Sequence, residues 1–238
     1  MNASSMTDFR RLYRVTQVLA GLMLMLIAAQ ILIFVVAPPP TTVVGFFELF
    51  YQKPFLGLLS MDFLYLINNA IVAVVYLALA TLLFRERPVS VLLGLTFGLI
   101  GVACYYPSNP AFEMLTLSNQ YALALPQQQI VYLAAGESML AGYTGTSFDA
   151  YYVFSTICLL LFAYAIFKSP KFKKSMGAWG LVSGIFMIIP SSAGTLGMVF
   201  SLLSLIPWVV FIVLLVLHFQ KLTTEPKAEN VGRFLMEK

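Results

Sequence analysis

Residues 105 to 146 read YYPSNPAFEMLTLSNQYALALPQQQIVYLAAGESMLAGYTGT. The stretch has no Lys and no Arg, yet it carries Glu113, Glu137, Asn109, Asn119, Gln127, Gln128 and Gln129 among many aromatics. It is far longer than any other connection between the apolar runs of this chain, and long connections that fold are often functional. Asn109 as N-cap with Pro110 at the first helical position predicts a helix over 110–124. Pro126 opens a second over 127–143, whose end is flanked by Gly142 and Gly145. The expectation is two packed helices held by a membrane scaffold on one side of a bilayer.

That scaffold is implied by composition. The 238 residues are 60% hydrophobic and 10% charged, with a mean hydropathy of +0.89. A soluble domain carries about 25% charged residues. The fold class expected is all-α, a polytopic membrane protein, with one membrane domain over 15–220 and no room for a second globular domain. The net charge of +4 gives no sign of nucleic-acid binding, because the basic residues form short clusters beside apolar runs. Cys104 and Cys158 both lie in apolar runs and read as buried small hydrophobes, not as a disulfide framework.

On the N-terminal side of the opening stretch, a polar segment 1–14 ends in Arg10, Arg11 and Arg14. The run 15–37 is long enough to cross about 30 Å of hydrocarbon and exceeds the usual signal-peptide core of about 7–15 residues. It is expected to stay as an uncleaved helix, stopped by Pro38, Pro39 and Pro40. Residues 43–56 hold Phe46, Phe47, Phe50, Tyr51 and Phe55 and read as an interfacial segment with aromatic anchors. Spans two and three are expected over 58–84 and 89–106. On the C-terminal side, spans four to six are expected over 147–168, 175–190 and 195–220, the fourth opened by a capping-box pattern at Thr146-Ser147-Phe148-Asp149. A polar tail, 221–238, is expected to fray.

Six spans put both termini and the even-numbered gaps on one side. Thirteen of the fourteen basic residues fall there, and only Lys53 falls opposite. By the positive-inside rule both termini are cytoplasmic and 105–146 faces outward. The localisation expected is a multi-pass protein of the cell's inner (plasma) membrane.

Candidate functional residues lie at the outer ends of the spans. Asp62, Tyr65, Leu66 and Asn69 fall at i, i+3, i+4 and i+7, on one helix face, with Asn68 extending the polarity inward. Asp149, Tyr152 and Thr156 follow a similar stripe. Polar residues at such depth normally face other helices. One reading is an acidic pocket open to the outside, joined by Glu113 and Glu137. The other is that both aspartates serve only as helix-terminal charges, typically about 0.3–1 kcal/mol each. A weak repeat runs beside these stripes: Ser-x-Asp-x-x-Tyr opens spans two and four, and Gly94, Gly101, Pro107 and Ser108 are spaced like Gly177, Gly184, Pro190 and Ser191. A parallel repeat of that kind would place a pseudo-two-fold axis along the membrane normal.

His218 is the only histidine and sits at the opposite end of span six, which excludes histidine-based metal sites. No Ser-His pair and no phosphate-binding Gly loop is present. No cofactor is expected, and enzymatic chemistry is disfavoured. Gly197, Ser201 and Ser204 share a face, read as close helix packing with a substrate path as the alternative, and Trp208 reads as packing or interface anchoring.

The strings Ser108-Asn109-Pro110-Ala111, Gly136-Glu137-Ser138-Met139-Leu140, Tyr143-Thr144-Gly145-Thr146 and Pro190-Ser191-Ser192-Ala193-Gly194-Thr195 are similar to bacterial membrane proteins grouped as domain of unknown function 4386. The resemblance covers about 10–220 and implies a multi-span bacterial inner-membrane protein, with no activity, substrate or cofactor. The function expected is a non-enzymatic binding or interaction protein. Its outward polar pocket, built from Asp62, Tyr65, Asn69, Glu113, Glu137, Asp149 and Tyr152, takes a small or lipid-like ligand or a partner protein. The alternatives are a small transporter on the two-fold repeat and a structural subunit of a membrane complex. The lipid bilayer is the one partner implied by composition.

Overall fold

Along residues 9–36, Tyr13, Thr16, Ala20, Met23, Ile27 and Gln30 are buried, three or four residues apart. The opposite face is equally apolar and stands open, with Val18 at 68% and Val35 at 72% exposure. A helix apolar all round that buries one face calls for an apolar medium on the other. The computed structural model describes residues 3–224, and among them all regular structure is helical: α1 (Ala3–Val36), α2 (Val43–Gln52), α3 (Pro54–Ser60), α4 (Phe63–Leu83), α5 (Pro88–Ser108), α6 (Ala111–Leu123), α7 (Pro126–Tyr143), α8 (Thr146–Lys168), α9 (Lys174–Phe186) and α10 (Gly194–Thr224).

Among the described residues, five helical stretches are long and apolar enough to cross a membrane: Phe9–Val36, Phe63–Leu83, Pro88–Leu123, Pro126–Lys168 and Gly194–Thr224. This is compatible with a multi-pass membrane protein. The expected fifth span over 175–190 is not among them, because α9 stops at Phe186 and the chain turns through Met187–Pro190. Its 13 residues make about 20 Å at 1.5 Å per residue. α1 runs through Arg10 and Arg14 from Ala3, so the polar start and the first apolar run form one helix. Most of the expected frayed tail lies outside the described residues.

Six helices close a ring. α1 packs on α4, α4 on α5, α5 on α8, α8 on α9, α9 on α10, and α10 returns to α1. The closest seam is α5 against α8, where small residues let the backbones approach. A Cβ on Gly98 would lie 2.6 Å from Cys158 Sγ and 2.8 Å from Tyr76 Cδ2. At the end that carries the arginines and lysines, Tyr13 bonds Thr81 at 3.2 Å and stacks on Phe219, and Lys171 pairs with Glu86 at 2.9 Å. Above this, Leu79, Leu83, Phe162, Ile166, Phe211 and Leu215 fill the ring with apolar side chains exposed by no more than 1%.

The glycines that suggested a repeat do not do matching work. Gly177 and Gly184 of α9 face α8, their own hairpin partner, whereas Gly94 and Gly101 of α5 also face α8 and not α4. In a ring of six, going from α4 to α8 and from α5 to α9 is a shift of two places. That is a third of a turn, so the ring offers these pairs no two-fold axis.

α2, α3, α6 and α7 form a second layer with its own small core. Phe46, Phe47 and Phe50 are buried there against Ala111 and Met114, and Ser118 Oγ donates to the Phe47 carbonyl at 2.7 Å. The expected interfacial anchors of 43–56 are thus mostly core residues of this layer, and only Tyr51 and Phe55 stay exposed. The outer helices begin where expected to within a residue. Pro110 takes the cap position, but the Asn109 side chain caps, accepting from the Ala111 amide at 3.1 Å while donating to the Met61 carbonyl at 2.6 Å.

Candidate functional site

Where α3 gives way to α4, the backbone turns through Asp62 at φ 57°, the left-handed region. Asp tolerates this better than most residues because its short polar side chain can bond locally. Asp62 holds the N-cap position of α4, yet its side chain makes no capping bond. Its carboxylate instead accepts from the hydroxyl of Tyr143, the last residue of α7. The αL turn therefore aims an acid away from the helix end and ties the ring to the second layer. Asp62 is not a simple helix cap.

From Asp62 a stripe runs down α4 through Tyr65, Asn68, Val72 and Tyr76, three or four residues apart, and lines a cavity of about 240 Å³. All six ring helices contribute to it, mostly through the half remote from the basic ends, with Tyr76 and Leu159 at its floor. α8 adds Phe148, Tyr151, Tyr152 and Ser155, and α10 adds Ser201, Ser204 and Trp208. Tyr152 is held by Ser201 at 2.7 Å and Ser191 at 3.4 Å. Ile31 of α1 and Leu202 of α10 are the lining residues that remain exposed, at 45% and 60%, so the mouth lies between these two helices.

The electrostatic character is one-sided. Asp62 is the single charged residue among the 23 that line the cavity, and eight of the 23 are aromatic. Gln30 is 1% exposed; its amide nitrogen is anchored on the Leu59 carbonyl at 2.9 Å, which leaves Oε1 without a protein partner. Asn68 Oδ1 is likewise buried and unpartnered. Buried polar groups are normally bonded, so such acceptors need an explanation. The walls present a carboxylate and several π faces, a set suited to a cation, while the two unpartnered acceptor oxygens are buried behind that surface.

Of the expected site residues, the structure brings together Asp62, Tyr65 and Tyr152. Asn69 is fully buried but off the cavity, its Nδ2 on the Tyr65 carbonyl at 3.0 Å. Asn68, one step of about 100° around the helix, lines the cavity in its place. Asp149 is also off the cavity. It lies in the first turn of α8, whose N-cap is Gly145 and not Thr146, and its carboxylate accepts from Ser192 in the turn before α10. The two aspartates therefore serve separate partners. Glu113 and Glu137 are exposed and line no part of the cavity. Ser201 and Ser204, read first as packing residues and second as a substrate path, face the cavity, as does Trp208.

Gln30, Tyr105 and Tyr151 were not legible as site residues. A signal existed for Gln30, the one amide in the apolar run from Val18 to Val36, since polar side chains inside spans usually face the bundle. Among the described residues no group of three His, Cys, Asp or Glu is placed to hold a metal ion. No family model matches this chain, and neither does any curated protein or solved structure.

Proposed function

We propose that this chain is a six-span protein of the inner (plasma) membrane that binds a small organic cation, without covalent chemistry, in a cavity in the outer half of the ring. Both termini are cytoplasmic in this reading, and the layer of α2, α3, α6 and α7 is extracytoplasmic. Two observations support the topology. α9 takes a full place in the ring between α8 and α10 despite its length, and short spans are accommodated by local thinning of the bilayer. The basic residues concentrate at the ring end away from that layer. The bacterial setting comes from the resemblance to domain of unknown function 4386, which implies no ligand.

The ligand class rests on one observation, a cavity with eight aromatic side chains and Asp62 as its single charge. Ammonium groups are attracted to aromatic faces by about 0.5–2 kcal/mol each, more when desolvated. An opposing carboxylate adds a charge-assisted hydrogen bond. The mouth between α1 and α10 opens beside apolar outer faces, so the cation would carry an apolar body. Transport is the weaker reading. Below Tyr76, Leu159 and Trp208 the ring is closed by the apolar layer of Leu79, Phe162, Phe211 and Leu215, and polar lining does not continue to the basic end.

The test is thermal stability of the purified protein with phenethylammonium and with 2-phenylethanol, its uncharged counterpart. A ligand that binds the native state alone stabilises it by an amount that grows with the logarithm of its concentration above Kd. Phenethylammonium should raise the midpoint of the wild type and leave Asp62→Asn unmoved. An equal response to the alcohol, or an undiminished response in Asp62→Asn, would mean that the cavity does not select cations.

A further inference from the structure

The mouth of the Asp62 cavity opens sideways, between two helices of membrane length. Its lip on α1 is Ile31, with Leu32 and Val35 beside it, and its lip on α10 is Leu202, with Met198 and Ile206 one turn away on either side. All six are apolar and exposed by 45% or more. The polar side chains of the same stretches turn the other way. Gln30 in 27–37, and Ser201, Ser204 and Trp208 in 198–208, all line the cavity. The lip therefore offers water nothing to bond, whereas hydrocarbon fits it. α1 meets α10 at the basic end, where Tyr13 stacks on Phe219. Near the mouth each helix is held by another neighbour. Gln30 of α1 donates to the Leu59 carbonyl of α3, and α10 is held by the Ser201–Tyr152 bond and by the close approach of Gly197 to the Pro190 carbonyl. Pro207 lies inside α10, between the lining residues Ser204 and Trp208. An interior proline gives up a backbone bond to the preceding turn and is the usual place for a helix to bend.

We propose that the cavity takes a cationic amphiphile, an alkylammonium drawn laterally from the membrane, with its ammonium group against Asp62 and its alkyl chain passing out between Ile31 and Leu202 into hydrocarbon. This rests on the organic-cation reading of the same cavity and narrows the ligand class. The chain stays in hydrocarbon because every methylene moved into water would cost free energy. The ammonium finds inside what hydrocarbon lacks, a carboxylate and aromatic faces. A zwitterionic phospholipid fits less well, because it would bring a phosphate and the lining has no Lys, Arg or His to meet it.

The test uses dodecylammonium carrying a mid-chain diazirine, with the protein in nanodiscs of dioleoylphosphatidylglycerol, a lipid with no ammonium group of its own. After illumination the labelled residues are mapped by mass spectrometry, and the thermal midpoint with phenethylammonium is measured on the same preparation. Label should concentrate on 27–36 of α1 and 198–206 of α10. Excess phenethylammonium should bring it down to the level of the other exposed helix faces, and the matching dodecanol probe should never rise above that level. Leu202→Trp, which narrows the mouth from an exposed position, should lose the displaceable label, whereas Leu93→Trp, also exposed but on α5 and away from the cavity, should keep it. Uniform label that phenethylammonium does not displace, with the midpoint still raised by phenethylammonium, would overturn the amphiphile and leave the small-cation reading standing. Neither a midpoint shift nor localised label would remove both readings. Displacement by dioleoylphosphatidylethanolamine as strong as that by phenethylammonium would overturn net positive charge as the criterion.

Discussion

Three substitutions at Asp62 separate the work of its backbone from that of its carboxylate. The backbone sits at φ 57° and the carboxylate accepts from Tyr143. A left-handed conformation costs most L residues roughly 1–2 kcal/mol, Asn and Asp less and Gly almost nothing. A hydrogen bond to a charged group contributes about 1.5–3 kcal/mol. Asp62→Asn keeps a carbonyl acceptor and tolerance of the turn, so it should cost under about 1 kcal/mol. Asp62→Gly loses the bond but relieves the backbone, for about 1–3 kcal/mol in all. Asp62→Ala loses the bond and bears the left-handed cost as well, about 1 kcal/mol more than Gly. The expected order of stability is therefore wild type, Asn, Gly, Ala. The assay is unfolding of purified protein in one fixed micelle composition, with helicity followed by circular dichroism. Equal stability of the Gly and Ala variants would show that the turn is not imposed on residue 62. An Asn variant as unstable as Ala would show that charge, not the acceptor, holds Tyr143.

Because Asp62 and Asp149 bond to Tyr143 and Ser192 respectively, Asp62→Asn and Asp149→Asn should add to within about 0.5 kcal/mol in a double-mutant cycle; a larger coupling would put them in one network. Gly98→Ala should destabilise by about 1–3 kcal/mol through overpacking against Cys158 and Tyr76, while Gly21→Ala, with nothing within 4 Å of the added carbon, should be neutral or gain up to about 1 kcal/mol of helix propensity. Equal effects at the two glycines would contradict the tight α5–α8 seam. Cysteines at the exposed positions Gln128 and Lys173 should react with an impermeant maleimide from opposite sides of the membrane, the first from outside in intact cells; labelling of both from one side would end the six-span proposal.

Much of this protein is written locally along the chain. Whether 15–37 or 195–220 prefers hydrocarbon to water is a sum over its own side chains, so those two helices could be read without any neighbour. The same holds for the ends: Pro126 opens α7 because a missing amide donor matters only to the residue that lacks it. The limit of local reading is visible at α9, whose run of apolar residues to Pro190 exceeds the helix that forms, and at 43–56, where aromatics expected to meet lipid found Ala111 and Met114 instead. Which polar residues meet was decided only by tertiary structure. Asn68 and Asn69 are adjacent in sequence and about 100° apart on the helix, and the rotation of α4 in the ring chooses Asn68 for the cavity. The same rotation on α8 brings Phe148 and Tyr152 inward and leaves Asp149 to Ser192. Gln30 joins them from more than thirty residues before Asp62 because α1 closes the ring beside α4 and α10. Transfer free energy depends on composition and can be summed along a segment, whereas the facing of a side chain depends on every helix packed around it. The membrane class and the helical scaffold were therefore present in the sequence, and the cavity came into being only when six helices closed on one another.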